Sequence, residues 1–181
     1  AMWEPITITG ASRSTPLALA QSKGNIDVIG DLLGDKNIRS AVGPTWLGRF
    51  VGSGFDSLTG GRQNFISGVE QLRSQLSLDS LINAKAKGAT FGALSDTEMR
   101  ILSSSASKLG TWANPDSTGK VSSYSASEKD FKKELNKINN FAKLDYIKKG
   151  GTPEIVGATL QSDGHYYVQN SDGTITDLSA N

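Results

Sequence analysis

Between Arg62 and Gly110, apolar residues recur at helical spacing and are interrupted by glycine and serine at fixed places, which limits this chain to short, closely joined helices. Phe65, Val69, Leu72 and Leu76 step by four, three and four and so share one helix face. Ser77 is placed to cap a second helix carrying Leu78, Leu81, Ile82 and Ala86. That helix ends at Gly88, which can take a left-handed backbone, with Lys85 and Lys87 in the last turn where cations suit the dipole. Ser95 and Glu98 then form an S-x-x-E capping box, so a third helix is expected from Asp96, burying Met99, Leu102, Ala106 and Leu109.

The flanks are organised differently. Residues 1–60 are expected to form an extended arm, with a strand-like run from Ile6 to Thr9 and a short helix from Asn25 through Ile26, Ile29, Leu32 and Leu33 to Gly34. A glycine-dense loop anchored by Trp46, Leu47, Phe50 and Phe55 follows. Thr111 to Ser123, with Asn114-Pro115 and Gly119, reads as a loop. Ser125 or Ser127 caps a long helix with Phe131, Leu135, Ile138, Phe141 and Leu144 inward. Lys129, Lys132, Lys133 and Lys137 face outward, partly offset by Glu128, Asp130, Glu134 and Asp145. After Gly150-Gly151 the period changes to two. Ser162-Asp163-Gly164 and Ser171-Asp172-Gly173 supply turns, and His165 to Gln169 pairs with Thr174 to Leu178 as a hairpin. The expected fold class is mainly α: a small helical bundle over 61–150, an arm over 1–60, and a β-hairpin tail over 151–181 packed on the core or on a partner.

Composition narrows the chemistry. With 36% hydrophobic residues and 20 glycines in 181, apolar material must be concentrated in the helical middle. A net charge of +1 gives no general attraction to nucleic acid or anionic membrane. No stretch approaches the roughly 20 apolar residues of a membrane-spanning helix. The lack of cysteine removes disulfide and thiolate chemistry, and Ala1-Met2 ahead of Trp3 reads as an added start on a segment of a longer polypeptide.

Catalytic patterns are weak. His165 is the sole imidazole, no G-x-S-x-G accompanies it, and one histidine without cysteine does not make a conventional zinc site. The 170–173 run lacks the first ligand of a calcium loop and is better read as a turn. Gly52, Gly54, Gly60 and Gly61 complete no phosphate-binding motif, and the lysines of the long helix, interleaved with acids, read as a solvated face. Glu70, Asp79, Asp96 and Glu98 are the carboxylates a glycosidase would draw on, although Asp96 and Glu98 also suit the first turn of a helix. No catalytic, cofactor or metal residue is assigned, and the expectation is that the protein is not an enzyme.

The run from Gly61 to Leu72 and the run Lys87-Gly88-Ala89-Thr90-Phe91-Gly92-Ala93-Leu94-Ser95 resemble a segment recurring in large tailed-phage virion proteins, including tape-measure-like and DNA-transfer or ejection proteins. The likeness covers roughly Gly61 to Trp112. It implies a structural role inside a particle or tail, location in the virion after synthesis in the host cytoplasm, and other virion proteins or further copies of the chain as partners. Its motif residues have architectural readings: Gly88 closes a helix, Phe91 and Leu94 plug the junction, Gly92 permits the turn, and Ser95 with Glu98 starts the next helix. Trp46, Phe50, Tyr166 and Tyr167 are the candidate partner contacts. Two alternatives stay open: a peptidoglycan-cleaving domain used in genome entry, and a surface- or carbohydrate-binding module centred on the C-terminal hairpin.

Overall fold

The computed structural model describes residues 15–43, 60–89 and 91–179. The strand-like run Ile6 to Thr9 and the aromatic loop with Trp46, Leu47, Phe50 and Phe55 lie outside the described residues.

The chain is mainly helical. Helix α1 (Pro16–Gly34) starts well before Asn25, because the Thr15 hydroxyl accepts from the Ala18 N–H at 3.2 Å and Pro16 occupies the first turn, where it loses no hydrogen bond. The helix is therefore longer at its N-terminal end than the expected start at Asn25. Ser22, a small buried polar residue, extends the apolar face of Ile26, Ile29, Leu32 and Leu33 by one turn. A single turn, α2 (Ile38–Ala41), follows. Helices α3 (Gly61–Gln75), α4 (Leu78–Ala86) and α5 (Asp96–Thr111) are the three predicted from periodicity, with Ser77 and Ser95 at the expected N-caps.

The segment read as a loop after α5 holds a small antiparallel hairpin, β1 (Ala113–Pro115) and β2 (Val121–Tyr124), irregular between Asn114 and Pro115. Helix α6 (Glu128–Lys148), capped by Ser127, is the central element. Phe131 on α6 gathers Phe65, Trp112 and Tyr124, with ring centroids 6.1, 6.1 and 4.8 Å away. A 3-10 turn (Pro153–Val156) leads into β3 (Ala158–Leu160), β4 (Tyr166–Gln169) and β5 (Ile175–Asp177).

The expected hairpin is therefore two strands of a three-stranded antiparallel sheet in the order β3-β4-β5. Ala158 and Thr176 flank Val168, and Ala158, Val168 and Leu178 enter the same buried cluster as the helices. The third strand answers the marginal stability of an isolated hairpin, and was missed because three residues are too few to display alternation. Ile26, Ile29, Leu32 and Leu33 of α1 also belong to that cluster, so this part of the expected arm is built into the core. Among the described residues, no helix is long and apolar enough to cross a membrane.

Candidate functional site

The loop between α4 and α5 holds two described residues with left-handed backbone, Gly88 and Phe91. Gly88 has φ 63° and closes α4 as its sequence position implied. Phe91 also has φ 63°, and is the one non-glycine residue with positive φ among the described residues. For a side chain with a Cβ this conformation costs about 1–2 kcal/mol, so something must hold it there. Two things do: the Phe91 ring is buried at 5% exposure, and Leu94 beside it is buried at 1%. Gly92 tolerates no side chain, because a Cβ would lie 2.8 Å from the Ala89 carbonyl oxygen.

The loop is tied down by an ion pair contributed from the end of α6. Asp145, 1% exposed, accepts from the Phe91 N–H through Oδ2 at 3.2 Å and from the Ala93 N–H through Oδ1 at 3.0 Å. Its Oδ2 also accepts from the Ser22 hydroxyl of α1 at 3.0 Å and pairs with Lys149 Nζ at 2.8 Å. Lys149 donates in turn to Ser22 Oγ and to the Ala89 carbonyl, both at 3.0 Å. One buried carboxylate and one buried ammonium thus join α1, the end of α6 and both sides of the loop, with loop amides and a hydroxyl supplying the hydrogen bonds a desolvated ion pair requires.

A second pair lies one turn away. Lys148 Nζ contacts the Glu98 carboxylate at 2.7 and 2.8 Å, while Glu98 completes its capping box with Ser95 at 2.7 and 3.2 Å. Burial pushes the Glu98 carboxyl up, but the Lys148 ammonium and the Ser95 donors outweigh it and hold it below the usual carboxylate range. Lys85 fixes the far side, donating to the Leu94 carbonyl at 3.1 Å and to Asp96 at 2.9 Å.

Asp145 and Lys149 were missed as site residues because acids and lysines on α6 were read as one solvated face. The signal was present in the spacing. Ile138, Ala142, Asp145 and Lys149 step by four, three and four, which places both charges on the buried stripe. Glu134, also read as offsetting surface lysines, is buried and pairs with Lys108 at 2.6 Å.

The carboxylates weighed for glycoside cleavage belong to separate networks. Glu70 on α3 accepts from Arg73 at 2.7 and 2.8 Å and from the Tyr124 hydroxyl at 2.7 Å, whereas Glu98 on α5 is held by Lys148 and Ser95. For Glu98 those donors favour the ionised form. His165 Nδ1 sits 2.7 Å from the Asp177 carboxylate in the open, and that contact raises its pKa. Asp172 accepts from the Thr174 N–H and hydroxyl at 3.0 and 2.6 Å as an Asx-turn, and the Gly173 N–H donates to the Asn170 carbonyl at 3.0 Å, so the 170–173 run is a turn. Among the described residues, no group of three or more His, Cys, Asp or Glu could hold a metal ion.

The candidate contact residues of the tail separate by alternation. Tyr167 lies on the outer face of the sheet, where it lines a shallow hollow of about 670 Å³ with Thr159, Asp163 and Ile175 and donates to Asp163 at 2.8 Å. Tyr166 faces the other way and packs against the core. Trp46 and Phe50 lie outside the described residues. Fold and site together define a mainly helical module whose α4–α5 loop is locked by a buried ion pair, with a small sheet at its C-terminal end. No known protein family, curated protein or solved structure matches the chain.

Proposed function

We propose that this chain is a structural and assembly module of a phage virion protein, internal or tail-associated and linked to genome delivery, and that it acts by packing and not by catalysis. The observation that carries the reading is how the loop from Gly88 to Ser95 is used. Its described residues cap helices, fill the core or bind Asp145 and Lys149, which leaves the motif to fix a shape. A unit whose small sheet ends on β3 and β5, with no further strand paired to them among the described residues, suits contact with neighbouring proteins or further copies of itself.

Quantitative mass spectrometry of washed, nuclease-treated particles tests the assignment. The chain should appear in fixed proportion to the other particle proteins; recovery solely from the soluble lysate would overturn the reading. A parallel assay on purified cell-wall material should release no muropeptides. Release that disappears in Glu70→Gln or Glu98→Gln would replace this proposal with the lytic one.

A further inference from the structure

The outer face of the C-terminal sheet carries a hollow of about 670 Å³ that the packing of the core does not use. Alternation sends Ala158 and Val168 into the core and leaves Thr159, Tyr167, Gln169 and Ile175 on the opposite side. Register sets Thr159 beside Tyr167 and Ile175 beside Gln169, so side chains from all three strands meet on one patch. Gln161 and Asp163 border it from the β3–β4 turn. Gly157 leaves one side open: it adds no side chain, and a Cβ there would meet nothing within 4 Å.

Tyr167 is the fixed point of this patch. Its ring is half-buried and its hydroxyl donates to Asp163 Oδ2 at 2.8 Å, while Asp163 Oδ1 accepts from the His165 N–H at 2.9 Å. Those two donors hold the Asp163 carboxyl below the usual carboxylate range. They also aim it, and each oxygen keeps an acceptor site for a further donor. Ile175, 72% exposed, adds an aliphatic surface. Asp163 is the sole charged residue in the lining, so an anion finds no cation there.

We infer that this hollow binds a neutral sugar, a pyranose stacked by its C–H face on Tyr167 with its hydroxyls bonded to Asp163, Gln161 and Gln169. Such a ring is apolar on its face and polar around its edge, which is how the patch is arranged. Phosphate and uronic acids are repelled by Asp163. A quaternary ammonium group finds one aromatic ring where a cage of several is the usual receptor. β-Linked glucose and N-acetylglucosamine both carry their substituents equatorially and so share the required C–H face.

NMR titration of the full chain with cellobiose and N,N′-diacetylchitobiose tests this, with D-sorbitol, D-glucuronate and tetramethylammonium as controls. At least one disaccharide should shift the Tyr167 ring and the Gln161 and Gln169 side-chain signals saturably, about tenfold more tightly than any control. The disaccharide that binds more tightly identifies the source. Tyr167→Ala should weaken binding about tenfold, and Tyr167→Phe, which keeps the ring, by about threefold. Gln169→Ala, at an exposed position, should weaken it about fivefold and decides the matter if Tyr167→Ala unfolds. No saturable binding by either disaccharide, equal binding of sorbitol, tighter binding of glucuronate or tetramethylammonium, or unchanged affinity in a folded Tyr167→Ala protein would each overturn the inference, which stands apart from the virion reading.

Discussion

The α4–α5 loop and the turns of the C-terminal sheet are both organised by aspartates, and they use them in opposite ways. Asp145 is buried and collects donors from Ser22, Phe91, Ala93 and Lys149, groups that only the finished fold brings together. Asp163, Asp172 and Asp177 are on the surface, and each accepts from a backbone N–H two residues further on, at His165, Thr174 and Ser179. A local turn is specified wherever its few residues occur, while the buried carboxylate has a favourable environment only when everything around it is in place. The first kind of contact sets local register, and the second makes the helical part cooperative.

The largest expected effect follows from that contrast. Asp145→Ala leaves a buried ammonium and two loop amides without their acceptor, and should cost about 3–5 kcal/mol in urea unfolding. Asp172→Ala should leave the urea midpoint nearly unchanged. Equal losses at the two sites would erase the distinction between them. Combining Asp145→Leu with Lys149→Met should recover only part of the loss, because an apolar pair of similar volume removes the unpaired charge but leaves the Phe91 and Ala93 N–H groups without an acceptor. Phe91→Ala comes next, at about 3 kcal/mol, since the buried ring is what holds the left-handed backbone in place.

The same contrast explains what could be read in advance. Ser77, Ser95, Gly88 and the two Ser-Asp-Gly turns act on residues within a few positions of themselves, so sequence spacing was enough to place them. The Asp145 clamp spans 52 to 123 residues to the loop and to α1, and no local rule links such partners. Residue type misled as well: a charged residue on a lysine-rich helix was assigned to solvent although its phase placed it inside. Strands β1, β2 and β3 were missed for a third reason, being three or four residues long and too short to display alternation.

Ser95→Ala should cost about 1 kcal/mol, the usual worth of an N-cap, and Glu98 adds a pH signature to that end of the clamp. Because the Glu98 carboxyl is held below its ordinary value of 4.5, its contribution is fully present above that value and is lost as pH falls through the lowered one. Thermal midpoints measured from neutral to acidic pH should therefore fall on the acid side. Glu98→Gln should be less stable at neutral pH and show a shallower acid limb. An unchanged limb would mean that Lys148 and Glu98 are not paired in solution.

The smallest effect belongs to the sheet and checks the other half of the comparison. His165 is exposed and its pKa is raised by the Asp177 carboxylate, so the pair favours the fold below the ordinary value of 6.5 and ceases to do so as pH rises through the raised one. NMR titration of the imidazole should place its pKa above 6.5, and Asp177→Asn should return it towards that value. Screening by water keeps the consequence for stability small, so the thermal midpoint should hardly respond to pH across this window. A marked response would mean that the sheet, like the α4–α5 loop, depends on a charge pair for its place in the fold, and the two regions would then differ in degree and not in kind.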